Sequence, residues 1–235
     1  MTLIESHNTC AHGTGSICIP SLLSDSRLMQ NSRGFAIFSD LPGSHDLRHL
    51  RKEAFVALQR ANQEYRRRRV LPDSDEPNYE EDRKTAARIK RFLSDGGPHL
   101  QSMYHDSQLI EFLSLESGLR LSPSGSGGVY IYYVRSGDFI GIHRDAGICD
   151  LVLITALYDS SLSDEGGSLI LYPGRTSESC KAISATPKRG EKVVKLTAGQ
   201  SLIMFGGVIP HRVVPVRAEQ IRIVSALCYS VKSVL

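Results

Sequence analysis

The chain has 235 residues, 41% of them hydrophobic and 23% charged, and a net charge of +3. That suits one domain with a core of its own and excludes a disordered chain, a collagen-like repeat and a coiled-coil rod. No apolar run approaches the ~20 residues that span a bilayer, Met1–His7 lacks the basic start and apolar stretch of a secretory signal, and so mild a charge does not call for nucleic acid or an anionic membrane as partner.

Residues 1–45 are mixed and rich in Ser and Gly, with a short apolar piece at Gly34–Phe38 that reads as a strand. From Asp46 to Arg69 the apolar positions Leu47, Leu50, Ala54, Ala57 and Leu58 recur at threes and fours, which predicts a helix. It ends in the basic run Arg66–Arg69, read as a solvated helix end rather than a nucleic-acid site, and the prolines of Leu71–Pro77 break it. A second helix is expected over Glu80–Leu93, stopped by Gly96-Gly97-Pro98. A third is expected over Asp106–Ser117, with Gly118 just past its end.

After Ser122 short β-branched and aromatic runs alternate with turn signals. Strands are expected at Val129–Val134, Asp138–His143, Leu151–Tyr158, Ser168–Tyr172, Lys192–Leu196, Ser201–Phe205, Val208–Val214 and Gln220–Tyr229. Such a count fits a sandwich or jelly roll. The expectation is a single domain, residues 1–235, mainly β with N-terminal α-helices. Residues 1–122 would be a helical and mixed segment buttressing a β core at residues 123–235. The five cysteines, Cys10, Cys18, Cys149, Cys180 and Cys228, are odd in number, widely spaced and without a C-x-x-C. They read as reduced thiols of a cytoplasmic protein, Cys149 and Cys228 as small core residues.

Chemistry concentrates at Ile140-Gly141-Ile142-His143-Arg144-Asp145. Side chains alternate along a strand, so His143 and Asp145 share one face and Arg144 takes the other. His211, on another expected strand, completes a His–carboxylate–His set, the facial arrangement that leaves positions open on a non-haem iron. Arg222 follows eleven residues later. A hairpin turning near Val216-Arg217 would set it directly opposite His211, on the same face. A buried guanidinium there offers a planar fork to a carboxylate. Thr155 is the lone polar residue of Leu151–Leu157 and could face the same pocket. Asp150 is the alternative carboxylate should the strand end early.

These residues resemble the 2-oxoglutarate/Fe(II)-dependent dioxygenases, which order His-x-Asp, a glycine pair, a distal His and an Arg about ten residues on. Glu165-Gly166-Gly167-Ser168 resembles the glycine-pair strand, and His211-Arg212-Val213-Val214-Pro215-Val216 resembles the H-x-V-x-P-V run of the prolyl-hydroxylase-like branch. The resemblance covers Val129–Val231. It implies a double-stranded β-helix, a cupin-like jelly roll open at one end. It also implies Fe(II) on His143, Asp145 and His211, 2-oxoglutarate held at its distal carboxylate by Arg222 with Tyr133 as a further contact, O2 as oxidant and ascorbate in support. The chain departs from the family at Val224, where the branch often has a serine, and at Ile131, where demethylases of the AlkB type have an asparagine. The expected activity is hydroxylation, or a related C–H oxidation, of a small-molecule substrate such as an amino acid or biosynthetic intermediate. A peptidyl or protein hydroxylase, a nucleic-acid demethylase of the AlkB type and a cupin-like metal-binding protein without oxygenase activity are the alternatives. The AlkB option is disfavoured because Arg222–Cys228 lacks the second arginine and the middle polar residues of that group.

Overall fold

The computed structural model describes residues 21–43, 46–66, 89–145, 149–159 and 166–232. Its helices are α1 (Ser21–Ser24), α2 (Arg27–Ser32), α3 (Leu47–Leu58), α4 (Pro98–Tyr104), α5 (Ser107–Ser117) and α6 (Cys180–Ala185). The strands are β1 (Phe35–Phe38), β2 (Asn62–Arg66), β3 (Ile89–Asp95), β4 (Leu121–Tyr133), β5 (Phe139–His143), β6 (Leu151–Asp159), β7 (Leu169–Leu171), β8 (Lys192–Val194), β9 (Ser201–Met204), β10 (His211–Val213) and β11 (Arg222–Val231).

All pairings are antiparallel, in the order β1-β9-β6-β11-β4-β3-β5-β10-β7-β8, with β2 on β3. Strand β3 is the corner, pairing with β4 through Phe92–Asp95 and with β5 through Ile89 and Lys90. The sheet folds there into a large half running from β1 to β4 and a small half, β5-β10-β7-β8. One apolar cluster fills the space between the halves, with Val152, Ile154, Ala156, Val224 and Ala226 from the large half and Leu169, Leu171 and Val213 from the small one. A second cluster covers the outer face of the large half. There the alternate residues Leu151, Leu153, Leu157, Ile223 and Leu227 meet helix residues Leu28, Leu50, Leu100 and Leu109. Period-two alternation in β6 and β11 therefore feeds two cores at once. Mainly antiparallel β with outer helices is the expected class, and the jelly roll is observed.

Helix ends follow their capping residues. Asp46 accepts from Arg48 N at the start of α3, and Asp106 accepts from Leu109 N at the start of α5. Gly118, with φ 74°, closes α5 in the left-handed conformation that glycine adopts without strain. Gly96-Gly97-Pro98 does not stop a helix; it starts α4, with Pro98 in the first turn, where its missing N–H is not needed. The cap comes from outside: the Glu53 carboxylate on α3 accepts from His99 N and Leu100 N and also from the Tyr130 hydroxyl. One side chain thus ties α3, α4 and β4 together.

The helix expected over Asp46–Arg69 ends at Leu58, and Asn62–Arg66 pairs as β2 with β3. Pairing with a distant strand overrides local helical preference. Arg67–Arg69, the breaker at Leu71–Pro77 and the residues 80–88 of the second expected helix lie outside the described residues. The remainder of that helix, from Ile89, is strand β3. Val208–Pro210, expected as strand, is a turn leading into β10.

The thiol expectation also needs correction. Cys149 and Cys228 form a disulfide across a sequence separation of 79, with Cα atoms 5.0 Å apart. Cys228 pairs with Val152 at the start of β6, so the fold makes neighbours of residues far apart in sequence. Thr155, on the outer face of β6, bonds the Ser201 hydroxyl at 2.8 Å, away from the inner space. Asp150 accepts from Val231 N.

Candidate metal centre

His143 ends β5 and His211 begins β10, and the two are paired directly across the small half of the sheet. Their rings lie 4.1 Å apart between centroids. Each Nδ1 lies 2.9 Å from the carbonyl oxygen two residues back, Gly141 for His143 and Ile209 for His211. A carbonyl only accepts, so each Nδ1 carries a proton and Nε2 is the nitrogen left to face a metal. Both Nε2 atoms face Asp145 Oδ1, at 3.7 Å from His143 and 3.6 Å from His211. One ligand atom from each of the three residues falls within 4.8 Å of the others.

Asp145 lies just beyond β5 and is held by its own N–H bonding to Gly206 O at 2.9 Å. A Cβ at Gly206 would overlap the Asp145 carboxylate, so the missing side chain makes the cradle for this carboxylate. Arg144 points the opposite way, as strand alternation predicts. It is buried, and its guanidinium donates to the carbonyls of Val208, Thr176 and Glu178. This fastens the end of β5 to the turn before His211.

The electrostatics suit a cation. Burial and the neighbouring His211 push His143 down to about 3. Burial works against an ionised Asp145, but His211 and His143 beside it bring its carboxyl down to about 2. At neutral pH a neutral His143 thus faces a carboxylate, the ionisation states a divalent metal requires of such ligands. With both Nδ1–H groups tied off, the donor set fits a metal such as Fe(II) or Zn(II), and the half-buried His–Asp–His face matches the non-haem iron pattern best. Gly206→Ala is expected to weaken metal affinity about 10- to 100-fold, as loss of a ligand-orienting contact does. Calorimetric titration with Ni(II), checked by circular dichroism for retained fold, measures it.

Arg222 begins β11 and is buried beneath the same inner space. Its position corrects the expected hairpin. β10 pairs with β5 and β7, whereas β11 pairs with β4 and β6, so His211 and Arg222 stand on opposite halves of the sheet rather than side by side. Arg222 pairs directly with Tyr133, and its Cζ lies 5.2 Å from that ring's centroid. Gly167 comes from the opposite half and lies against the Arg222 stem, where a Cβ would be in ordinary contact at 3.6 Å; its φ of 71° is what calls for glycine. Burial lowers Arg222 from the usual arginine range. Of the tyrosine cluster, Tyr130 and Tyr132 face the helices, bonding Glu53 and the Ala54 carbonyl, and Tyr133 packs in the inner cluster.

The sequence carries no sign of the role of Gly206, which there is only one half of the pair Gly206-Gly207.

No known sequence family and no curated protein matches the chain. Its fold does match solved structures. SnoN, a non-haem alpha-ketoglutarate-dependent epimerase of nogalamycin biosynthesis, superposes with a TM-score of 0.61 at 12% identity over 90% of this chain and 83% of that one. HygX of Streptomyces hygroscopicus, with nickel and 2-oxoglutarate bound, gives 0.55 at 14% identity over 84% and 82%. A prolyl 4-hydroxylase of Pseudomonas putida gives 0.52 at 16% identity over 89% and 100%. At these identities the likeness establishes the fold: the double-stranded β-helix of the 2-oxoglutarate/Fe(II) oxygenases, here carrying a His–Asp–His group.

Proposed function

We propose that this chain, with the fold of the 2-oxoglutarate/Fe(II) oxygenases, is an oxygenase of that kind acting on a small-molecule substrate, an amino acid or a biosynthetic intermediate. His143, Asp145 and His211 would hold Fe(II). Arg222 would take the distal carboxylate of 2-oxoglutarate, with Tyr133 beside it. Bound iron, 2-oxoglutarate and O2 supply a decarboxylation to succinate and CO2 coupled to oxidation of a substrate C–H bond, with ascorbate keeping the iron ferrous. The chain supplies the rest. Two imidazoles and one carboxylate would hold the metal, and the guanidinium would fix the co-substrate from the opposite half.

The observation that carries this reading is the convergence of two Nε2 atoms on Asp145, with both Nδ1–H groups bonded to backbone. SnoN, from nogalamycin biosynthesis, and HygX, whose fold also accepts hygromycin B, support a small molecule as the substrate class. A peptidyl hydroxylase is the second reading, supported by the His211–Val216 run and the prolyl 4-hydroxylase fold. No described helix is long and apolar enough to cross a membrane. The cytoplasmic compartment expected from the sequence rests on sequence alone, and the Cys149–Cys228 pair weighs against a reducing one.

The test is succinate release from 2-oxoglutarate by the purified chain, measured with and without Fe(II) and O2, and then across small-molecule and peptide panels. Succinate that depends on both Fe(II) and O2 is the expected result. A chain that binds Fe(II) yet forms no succinate under any condition overturns the oxygenase reading.

A further inference from the structure

A line of polar side chains crosses five adjoining strands at one level. Glu64 on β2 pairs with Arg91 on β3. Phe92 pairs with Tyr132, which sets Arg91 opposite Tyr133 one step along. Tyr133 pairs with Arg222 on β11, and Arg222 pairs with Asp159 on β6. Ile89, two residues before Arg91, and Tyr133 both belong to the inner apolar cluster, so by alternation Arg91 faces the same space. Charges alternate along the line as acid, base, phenol, base, acid.

Tyr133 is the centre of this line. Arg91 Nε donates to Glu64 Oε2 at 2.9 Å, and the β3–β4 register sets Arg91 beside Tyr133. Arg222 flanks Tyr133 from the other side, its Cζ 5.2 Å from the ring centroid. A guanidinium has donors and no acceptor, so towards either neighbour the phenol oxygen can only accept. Between two cations, the O–H of Tyr133 has to be donated to a third group. The inner space beside Arg222 is where an anion would meet it.

We infer that Arg91 is a positioning residue of the co-substrate pocket: together with Arg222 it fixes Tyr133 as a hydrogen-bond donor to the carboxylate of 2-oxoglutarate, and Glu64 holds Arg91 in that pose. This rests on the co-substrate reading above. Arg91 acts through Tyr133, its own charge being matched by Glu64 at 2.9 Å.

The experiment is calorimetric titration of 2-oxoglutarate into the full chain loaded with Ni(II), which binds without turnover. The proteins are wild type, Tyr133→Phe, Arg91→Gln, Arg91→Lys and the double variant Arg91→Gln/Tyr133→Phe. Tyr133→Phe and Arg91→Gln are each expected to weaken 2-oxoglutarate about tenfold, with Ni(II) affinity unchanged. Arg91→Lys, which keeps a donor, recovers part of the loss. The double variant binds no more weakly than Tyr133→Phe alone, because the effect of Arg91 passes through the phenol. Additive losses, a wild-type-like Arg91→Gln, or a loss matched by weaker Ni(II) binding would each overturn the inference. Should Arg91→Gln not fold, Arg91→Lys compared in the wild-type and Tyr133→Phe backgrounds decides by the same non-additivity. A wild-type chain that binds Ni(II) but not 2-oxoglutarate overturns the co-substrate reading itself, a result distinct from any of these.

Discussion

His143→Ala and His211→Ala are each expected to abolish succinate formation and metal binding, while the fold survives. The two imidazoles face each other across the small half of the sheet and both aim Nε2 at one carboxylate oxygen. Removing either leaves a two-ligand site with no facial set. Three open positions are what the proposed chemistry needs, and only three fixed ligands leave that number on a six-coordinate iron. The side chains border the inner space, and the packing between the halves comes from Val152, Leu171, Val213 and Val224. Circular dichroism and thermal melting of the metal-free variants check the fold, and Fe(II) titration with succinate measurement checks the site. Turnover retained in either variant would remove that histidine from the ligand set.

Arg222→Leu is expected to raise the KM for 2-oxoglutarate about 10- to 150-fold, the range that ~1.5–3 kcal/mol of charge-assisted hydrogen bonding gives. It leaves Fe(II) affinity within a few-fold of wild type. Leucine keeps much of the buried stem volume and removes the charge, so the change isolates the guanidinium. The separation of effects follows from geometry, since Arg222 sits on β11 in the half opposite His143 and His211. Steady-state kinetics on 2-oxoglutarate, with a parallel metal titration, makes the measurement. An unchanged KM would assign the carboxylate to another cation of the row across β2–β6.

Local pattern made the ligands legible. In His143-Arg144-Asp145 the alternation of a strand puts the imidazole and carboxylate on one side and sends the arginine elsewhere, and Arg144 does anchor in backbone carbonyls away from the centre. The register of Arg222 was not legible. Counting opposed residues assumes that β10 and β11 form a hairpin. Instead the chain between Val213 and Arg222 crosses from one half of the sheet to the other, with Val216 N bonding to Asp138 O and Gly137 N bonding back to Val216 O. Nothing in Val214–Ile221 distinguishes a crossing from a turn. Arg91 was not legible because Ile89–Leu93 ends a stretch, Glu80–Leu93, expected as a helix, and only pairing with β2, β4 and β5 selects the strand. The disulfide escaped because 79 residues separate its cysteines, and sequence spacing carries no information on adjacency at that range.

The cross-link between Cys149 and Cys228 bears on how the chain is handled at the bench. Cys149 follows Asp145 by four residues, and the bond ties it to β11, close in sequence to the carboxylate of the candidate metal centre. In the chain-entropy account, closing a loop of this length restricts the unfolded chain by about 4–5 kcal/mol. On the proposed oxygenase reading the chain would be assayed with a reductant present, and the choice of reductant is then not neutral. A thiol such as dithiothreitol exchanges with disulfides and would release Cys149 from β11 even as it kept a bound metal reduced. Ascorbate protects the metal and does not take part in that exchange. Melting curves in the two reductants should separate by many degrees, and a loss of activity seen only in the thiol would report a loosened Asp145 rather than an oxidised iron.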